Sequence, residues 1–156
     1  MQHKIIFLDI DGVLAIPRSG EFFDKNCCKN LKEILDVADA KIVVSSSWRE
    51  CELSVKALLE NLERNGIAGD YVIGKTPDLS DSVSYWHKGW DYKELRWREI
   101  ERYIAENDIK SYVIIDDYNL TPYISKRFVK TNECSGLTAR CKDLCIQILN
   151  DETDLT

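Results

Sequence analysis

The chain has 156 residues, 44% of them hydrophobic, with 21 basic and 27 acidic side chains and a formal net charge of −6. A length of this order fits a single domain over 1–156 that buries roughly 70% of the surface its unfolded chain exposes, so neither a disulfide framework nor a structural metal is needed for stability. No run approaches the ~20 apolar residues of a membrane-spanning helix. The acidic balance disfavours generic, high-affinity nucleic-acid binding through a basic surface, while leaving room for a local basic groove.

The first apolar run, residues 4–8 (KIIFL), reads as a buried strand that ends in carboxylates, not as a secretory leader. Residues 15–24 contain Pro17 and Gly20 and read as a turn or small hairpin. Leu31, Ile34, Leu35 and Ala38 recur at helical spacing, predicting a helix over 26–38. Residues 41–44 (KIVV) form a second buried strand. A helix over 48–64 follows, with Leu58, Leu59 and Leu62 on one face and Asn65-Gly66 as its stop signal. Residues 71–73 make a short third strand, and 74–92 a polar and aromatic loop. The next helix spans 93–107, facing Leu95, Ile100, Tyr103 and Ile104 inward. Residues 111–115 (SYVII) are a fourth buried strand and 128–129 a very short fifth. A closing helix over 137–149 can be capped by Thr138 or Ser135.

Alternating apolar strands and helices mean an α/β fold: a three-layer, Rossmann-like parallel sheet with helices on both faces. Right-handed crossovers put every strand's C-terminus on one edge, where such sheets bind ligands. The six cysteines (Cys27, Cys28, Cys51, Cys134, Cys141 and Cys145) include no CxxC pair. They are expected to be reduced and to serve mainly as small hydrophobes, which places the chain in the cytoplasm and disfavours a zinc site.

The chemistry collects at the strand ends. The first strand ends in Asp9-Ile10-Asp11-Gly12, the second in Ser45-Ser46-Ser47-Trp48 and the fourth in Asp116-Asp117. Carboxylates gathered this closely repel one another, which a hard divalent cation resolves. Only oxygen ligands are on offer, which suits Mg²⁺. A cation held between carboxylates is a seat for phosphate, and an aspartate held in line can attack phosphorus to give an aspartyl-phosphate. Gly12 permits a sharp turn and a close backbone approach to the phosphate.

Phe7-Leu8-Asp9-Ile10-Asp11-Gly12-Val13-Leu14 resembles the first motif of the haloacid dehalogenase (HAD) superfamily, the most specific of the matches. Val43-Val44-Ser45-Ser46-Ser47 resembles the second motif and Ile114-Ile115-Asp116-Asp117 the fourth. The third is a single basic residue, for which Arg96 and Arg98 are candidates. SSSWR, R-x-x-EI, the Asp116-Asp117 pair and Gly136-Leu137-Thr138 together resemble the HAD domain associated with Swiss Army Knife RNA repair proteins. In that pattern the arginine stands three residues before Glu-Ile, which selects Arg96. The resemblance covers about residues 4–149.

It implies a Mg²⁺-dependent phosphatase acting on a phosphomonoester. Asp9 would be nucleophile and metal ligand. Asp11 would be general acid and then base, with its backbone carbonyl on the metal. Asp116 would complete the metal site, with Asp117 ligating through water or orienting Asp116, and Arg96 would stabilise charge on the phosphoryl oxygens and Asp9. Ser46 would bind the phosphoryl group, preferred over Ser45 because it precedes Ser47-Trp48 as Thr precedes Gly-Trp or Gly-Arg in relatives. Trp48 and Arg49 either touch substrate or pack. Tyr85, Trp86, Trp90 and Tyr92 either stack on a base or sugar or plug the sheet edge.

The two points where HAD enzymes insert a cap hold only a hairpin and a helix, and a loop and a helix, so no separate cap domain is expected. Capless relatives tend to act on large substrates. The expected partner is therefore a phosphorylated substrate, whether a nucleotide, a nucleic-acid end or a phosphoprotein, and no membrane. Two alternatives are a receiver-like phospho-aspartate module and a catalytically weak HAD-like scaffold that binds a protein.

Overall fold

The computed structural model describes residues 3–17, 19–80 and 89–151. One all-parallel sheet contains β1 (Lys4–Leu8), β2 (Ala40–Val44), β3 (Val72–Lys75), β4 (Tyr112–Asp116) and β5 (Phe128–Lys130), in the spatial order β3-β2-β1-β4-β5. Four α-helices lie among the described residues: α1 (Lys25–Ala38), α2 (Glu52–Arg64), α3 (Tyr92–Asn107) and α4 (Ala139–Asn150). This is the expected three-layer α/β architecture.

Side-chain alternation sorts β1 between two cores. Ile6 and Leu8 join Leu31 and Leu35 of α1, Leu58 and Leu62 of α2, and Cys145 and Leu149 of α4. Ile5 and Phe7 join Val43, Ile114 and Ile100 of α3 on the opposite face. Both faces of β1 are covered, which is why its sequence is apolar throughout. β3, at the sheet's edge, alternates half-buried with exposed residues.

The helix ends follow local chemistry. Asp24 and Asp91 accept hydrogen bonds from Cys27 N and Glu94 N, at 2.9 and 2.8 Å, and start α1 and α3 one residue earlier than expected. Of the two candidate caps for the last helix, Thr138 serves, accepting from Cys141 N at 3.3 Å.

The expected single helix over 48–64 is broken. A 3₁₀ turn, Ser47–Glu50, precedes α2, and between them Cys51 is extended at φ −132° and ψ 137°. The cause is in the side chains: Ser46 Oγ accepts from Trp48 N at 3.2 Å and Arg49 turns back onto the Ser46 carbonyl at 2.9 Å, so the turn is closed before a helix can propagate. Residues 15–24 form no strand pair among the described residues. A tight turn bridges Asp11 to Ala15, and Asp24 N donates to Leu14 O at 2.8 Å. Cys27, Cys28 and Cys145 are core residues, and all six cysteines are free thiols.

Candidate active site

The parallel ladder brings the acidic residues together. Leu8 pairs with Val44 and Ile115, so the residues that follow these strands emerge side by side at the carboxyl edge. The ladder continues one step further: Asp9 N donates to Ile115 O at 3.1 Å and Ser45 N to Leu8 O at 3.0 Å. One carboxylate oxygen each from Asp9, Asp116 and Asp117 lies within 4.8 Å of the others. Asp9 is 4% exposed and Asp116 fully buried, so solvent does little to screen them.

Arg96, from the first half of α3, reaches into this cluster. Its Nη1 stands 3.1 Å from Asp9 Oδ1 and 2.9 Å from Asp116 Oδ2. Its guanidinium lies over the Tyr118 ring, 4.6 Å from the centroid, and Tyr118 N donates to the other Asp116 oxygen at 2.9 Å. One cation faces three carboxylates. Burial, then the charge of Asp116, push the Asp9 carboxyl up from 3.8 to about 9 despite Arg96. Burial likewise raises Asp116 against the pull of Arg96. For Arg96, burial opposes the charge, yet Asp116 and Asp9 hold it protonated beyond the ordinary arginine value. The cluster thus lacks positive charge, and its donors are all oxygens, which fits a hard divalent cation.

Arg98, the other candidate for the third motif, is outside the site. It pairs with Glu94 and Glu101 along the helix surface, at 3.0 Å each. The Asp11 carboxylate is also outside the cluster, exposed and bonded to Trp48 Nε1 at 3.2 Å. The serines divide. Ser46 Oγ caps the 3₁₀ turn, whereas Ser45 Oγ is buried with no hydrogen-bond partner among the described residues.

Over residues 5–141 the chain matches the family described as the HAD domain in Swiss Army Knife RNA repair proteins. The chain belongs to this family. Neither a curated protein nor a solved structure matches it. Membership makes a HAD-type hydrolase the activity class that the fold and family suggest, and the Asp9, Asp116 and Asp117 cluster could hold a metal ion. No helix among the described residues is long and apolar enough to cross a membrane.

In this HAD domain the turn after β1 is braced from two sides. Thr131 Oγ1 donates to the Gly12 carbonyl at 2.8 Å, and Leu137 N to the Val13 carbonyl at 2.9 Å. The second bond explains the Gly136-Leu137-Thr138 segment: a Cβ on Gly136 would meet Val13 O at 2.6 Å. Gly12 itself has φ +79°, and a Cβ there would stand 2.5 Å from Asp117 Oδ2. Gly12→Ala should therefore cost about 1–2 kcal/mol from the left-handed backbone alone, and it should displace Asp117. Thermal melting with and without Mg²⁺ checks this: the variant should melt lower and respond less to the cation.

Arg49 packs rather than facing solvent. Its guanidinium donates to the carbonyls of Thr76 (3.0 Å), Ser46 (2.9 Å), Ser45 (3.3 Å) and Pro77 (3.3 Å), and pairs with Glu99 at 2.8 Å. Glu99 also accepts from Leu79 N at 2.9 Å. The SSSWR and R-x-x-EI segments of the HAD domain are thus two halves of one buried ion pair. Of the expected aromatic cluster, Tyr92 lines a cleft of about 320 Å³ beside Arg96 and Tyr118, whereas Trp90 lies by Arg98, 5.8 Å from its guanidinium. Tyr85 and Trp86 lie outside the described residues.

Sequence reasoning left open or missed the roles of Arg49, Glu99, Trp48, Thr131 and Tyr118. The signal for the ion pair was present: a charged residue in each of two short signatures, with an apolar neighbour beside it.

Proposed function

We propose that this HAD domain is a Mg²⁺-dependent phosphatase that hydrolyses a phosphomonoester through an aspartyl-phosphate on Asp9. The observation that carries this reading is the cluster of Asp9, Asp116 and Asp117 oxygens within 4.8 Å, with Arg96 paired to two of the three. Asp9, Asp116 and Asp117 would hold the ion, with Asp11 contributing its backbone carbonyl. Bound there, Mg²⁺ supplies Lewis-acid neutralisation of phosphoryl charge.

The residues then divide the work. An oxygen of Asp9 gives its electron pair to phosphorus while the bond to the leaving oxygen breaks, that pair going to the leaving oxygen. Asp11 protonates this oxygen and the alcohol departs. The Asp11 carboxylate next takes a proton from water, whose oxygen bonds to phosphorus. The bond from phosphorus to Asp9 breaks, restoring the carboxylate and releasing inorganic phosphate. Arg96 stabilises charge on the phosphoryl oxygens as they pass through the transition state. Ser45 is the better phosphate donor of the two serines, since a buried hydroxyl without a partner gains one from the bound phosphoryl group. Ser46, the residue favoured by the pattern of relatives, accepts from Trp48 N in capping the turn, which fixes its oxygen but leaves its O–H able to donate. Gly12 brings the backbone close to the same group.

The preferred substrate is a nucleotide or polynucleotide end, in keeping with the RNA repair proteins for which the family is described. A net charge of −6 argues that recognition is local to that end and not spread along a strand. Six free thiols suit a reducing, cytoplasmic setting.

The test is phosphate release from 3′- and 5′-phosphorylated oligonucleotides, mononucleotides, sugar phosphates and phosphopeptides, with Mg²⁺ and with EDTA. Release that requires Mg²⁺ is expected, and release undiminished by EDTA would sink the reading. Arg96→Ala should lower kcat/KM by about 10²–10³-fold, as the loss of one preorganised charge donor does. Arg98→Ala should change stability by no more than about 0.5 kcal/mol and leave turnover near that of the parent. Kinetics on the two variants check the order, and its reversal would place the phosphate-binding arginine on the wrong residue.

A further inference from the structure

The proposed reaction needs a carboxyl aimed at the leaving oxygen, and Asp11 is poorly placed to aim itself. It is exposed, it stands in a turn and not in a strand, and its carboxylate is not part of the buried cluster. The hydrogen bond that fixes it comes from the indole Nε1 of Trp48, at 3.2 Å to Oδ2.

Trp48 is itself held firmly. Its backbone N–H is capped by Ser46 Oγ at 3.2 Å. Its ring packs against buried Phe23, at 5.7 Å between centroids, and meets exposed Phe22 edge-on at 5.3 Å. An indole N–H is a donor only. It can hold one carboxylate oxygen in place and leaves the other free to carry the proton.

We propose that Trp48 is a positioning residue that orients Asp11 for proton transfer to the leaving group, so that the serine turn supplies both a phosphate-binding hydroxyl and the aim of the acid. This rests on the phosphatase reading above. In the step concerned, the Asp9 oxygen forms its bond to phosphorus, the bond to the ester oxygen breaks with its electron pair, and the Asp11 proton moves to that oxygen. A poor leaving group depends on that proton and a good one does not.

The test is kcat/KM for a series of substituted phenyl phosphates, for the parent, Trp48→Phe and Asp11→Asn. The parameter kcat/KM reports the steps up to departure of the phenol, so the later role of Asp11 as base does not enter. A common phenyl ring keeps the bulk of the leaving group constant across the series. Trp48→Phe keeps an aromatic ring against Phe22 and Phe23 and removes the N–H. General acid catalysis is worth about 10²–10⁴-fold. Trp48→Phe should lose at least about tenfold of that on the least activated ester and change little on the most activated. In the Asp11→Asn background the same substitution should not steepen the dependence further.

Equal losses at every leaving group would mean that Trp48 only packs, and would overturn this proposal alone. No hydrolysis of any ester by the parent would overturn the phosphatase reading and this proposal with it. A measurement free of turnover accompanies the kinetics: in ¹⁵N-labelled protein, the Trp48 Nε1–H resonance should move on Asp11→Ala. An unmoved resonance would overturn the proposal whatever the kinetics.

Discussion

An Asp9→Asn variant should release phosphate at least about 10³-fold more slowly than the parent, a loss of ~4 kcal/mol of transition-state stabilisation, and yet fold more stably in the absence of Mg²⁺. Both halves follow from one carboxylate: an amide cannot attack phosphorus as the carboxylate does, and it carries no charge to bury. Asp9 is buried against Asp116, and burial and repulsion raise its carboxyl to about 9. In metal-free protein between pH 4 and that value, the folded state holds a proton on Asp9 that the unfolded state has lost. Folding takes up a proton, so stability is fully present below the ordinary carboxyl range and declines as pH rises towards about 9. Asparagine removes the charge and with it this contribution to the decline. Mg²⁺ should flatten the same pH dependence in the parent and do little for the variant. Thermal melts at several pH values, with Mg²⁺ and with EDTA, read all of this alongside phosphate release. Retention of more than about a tenth of the parent rate, a loss below ~1.4 kcal/mol, would remove Asp9 from the nucleophile's role. A metal-free Asp9→Asn that melts below the parent would refute the electrostatic account.

What the linear sequence disclosed was what repeats locally. Ile5–Leu8 and Val113–Ile115 are apolar because both faces of their strands are covered, and a run of that kind is visible without knowing what covers it. The carboxylates following those runs could be assigned to one edge because parallel strands all end there. Arg96 could be chosen over Arg98 only through its spacing to Glu99 and Ile100, a likeness to a family; helical periodicity does not separate two arginines two positions apart.

What escaped the reading depends on contacts that join distant segments. Trp48 and Asp11 are 37 positions apart, and Thr131 and Gly12 are 119 apart. No local pattern marks either pair. The break at Cys51 escaped for a different reason: residues on both sides of it suit a helix, and the side chains of Ser46 and Arg49 decide against one. Which of the Ser45 and Ser46 hydroxyls lacks a partner is likewise a property of the packed state.

Those two signature segments meet in the Arg49–Glu99 pair, and breaking it should be the most destabilising single change outside the sheet core. Both side chains are 5% exposed, and the ion pair measures 2.8 Å. Glu99→Ala leaves the buried guanidinium with only the half-exposed Glu50, 3.9 Å away, as a countercharge and frees Leu79 N, at a cost of about 3–5 kcal/mol, as for other buried pairs deprived of one partner. Arg49→Ala should cost at least as much, since the Thr76 carbonyl loses its side-chain donor as well. The double variant should lose less than the sum of the two, because the second substitution removes a charge the first has already stranded. Urea unfolding of the four proteins measures the cycle, and a loss below about 1 kcal/mol for Glu99→Ala would show that the pair contributes little. The consequence extends to the site. Glu99 stands one helical turn from Arg96 on α3, and Arg49 holds the carbonyls of the serine turn. The same bond therefore ties the helix that carries Arg96 to the backbone of Ser45 and Ser46. Glu99→Gln keeps an acceptor for Leu79 N but gives up the charge, so it should fall between Glu99→Ala and the parent in stability. If the pair also registers α3 against the serine turn, Glu99→Gln should lower kcat/KM at temperatures where the variant is still fully folded.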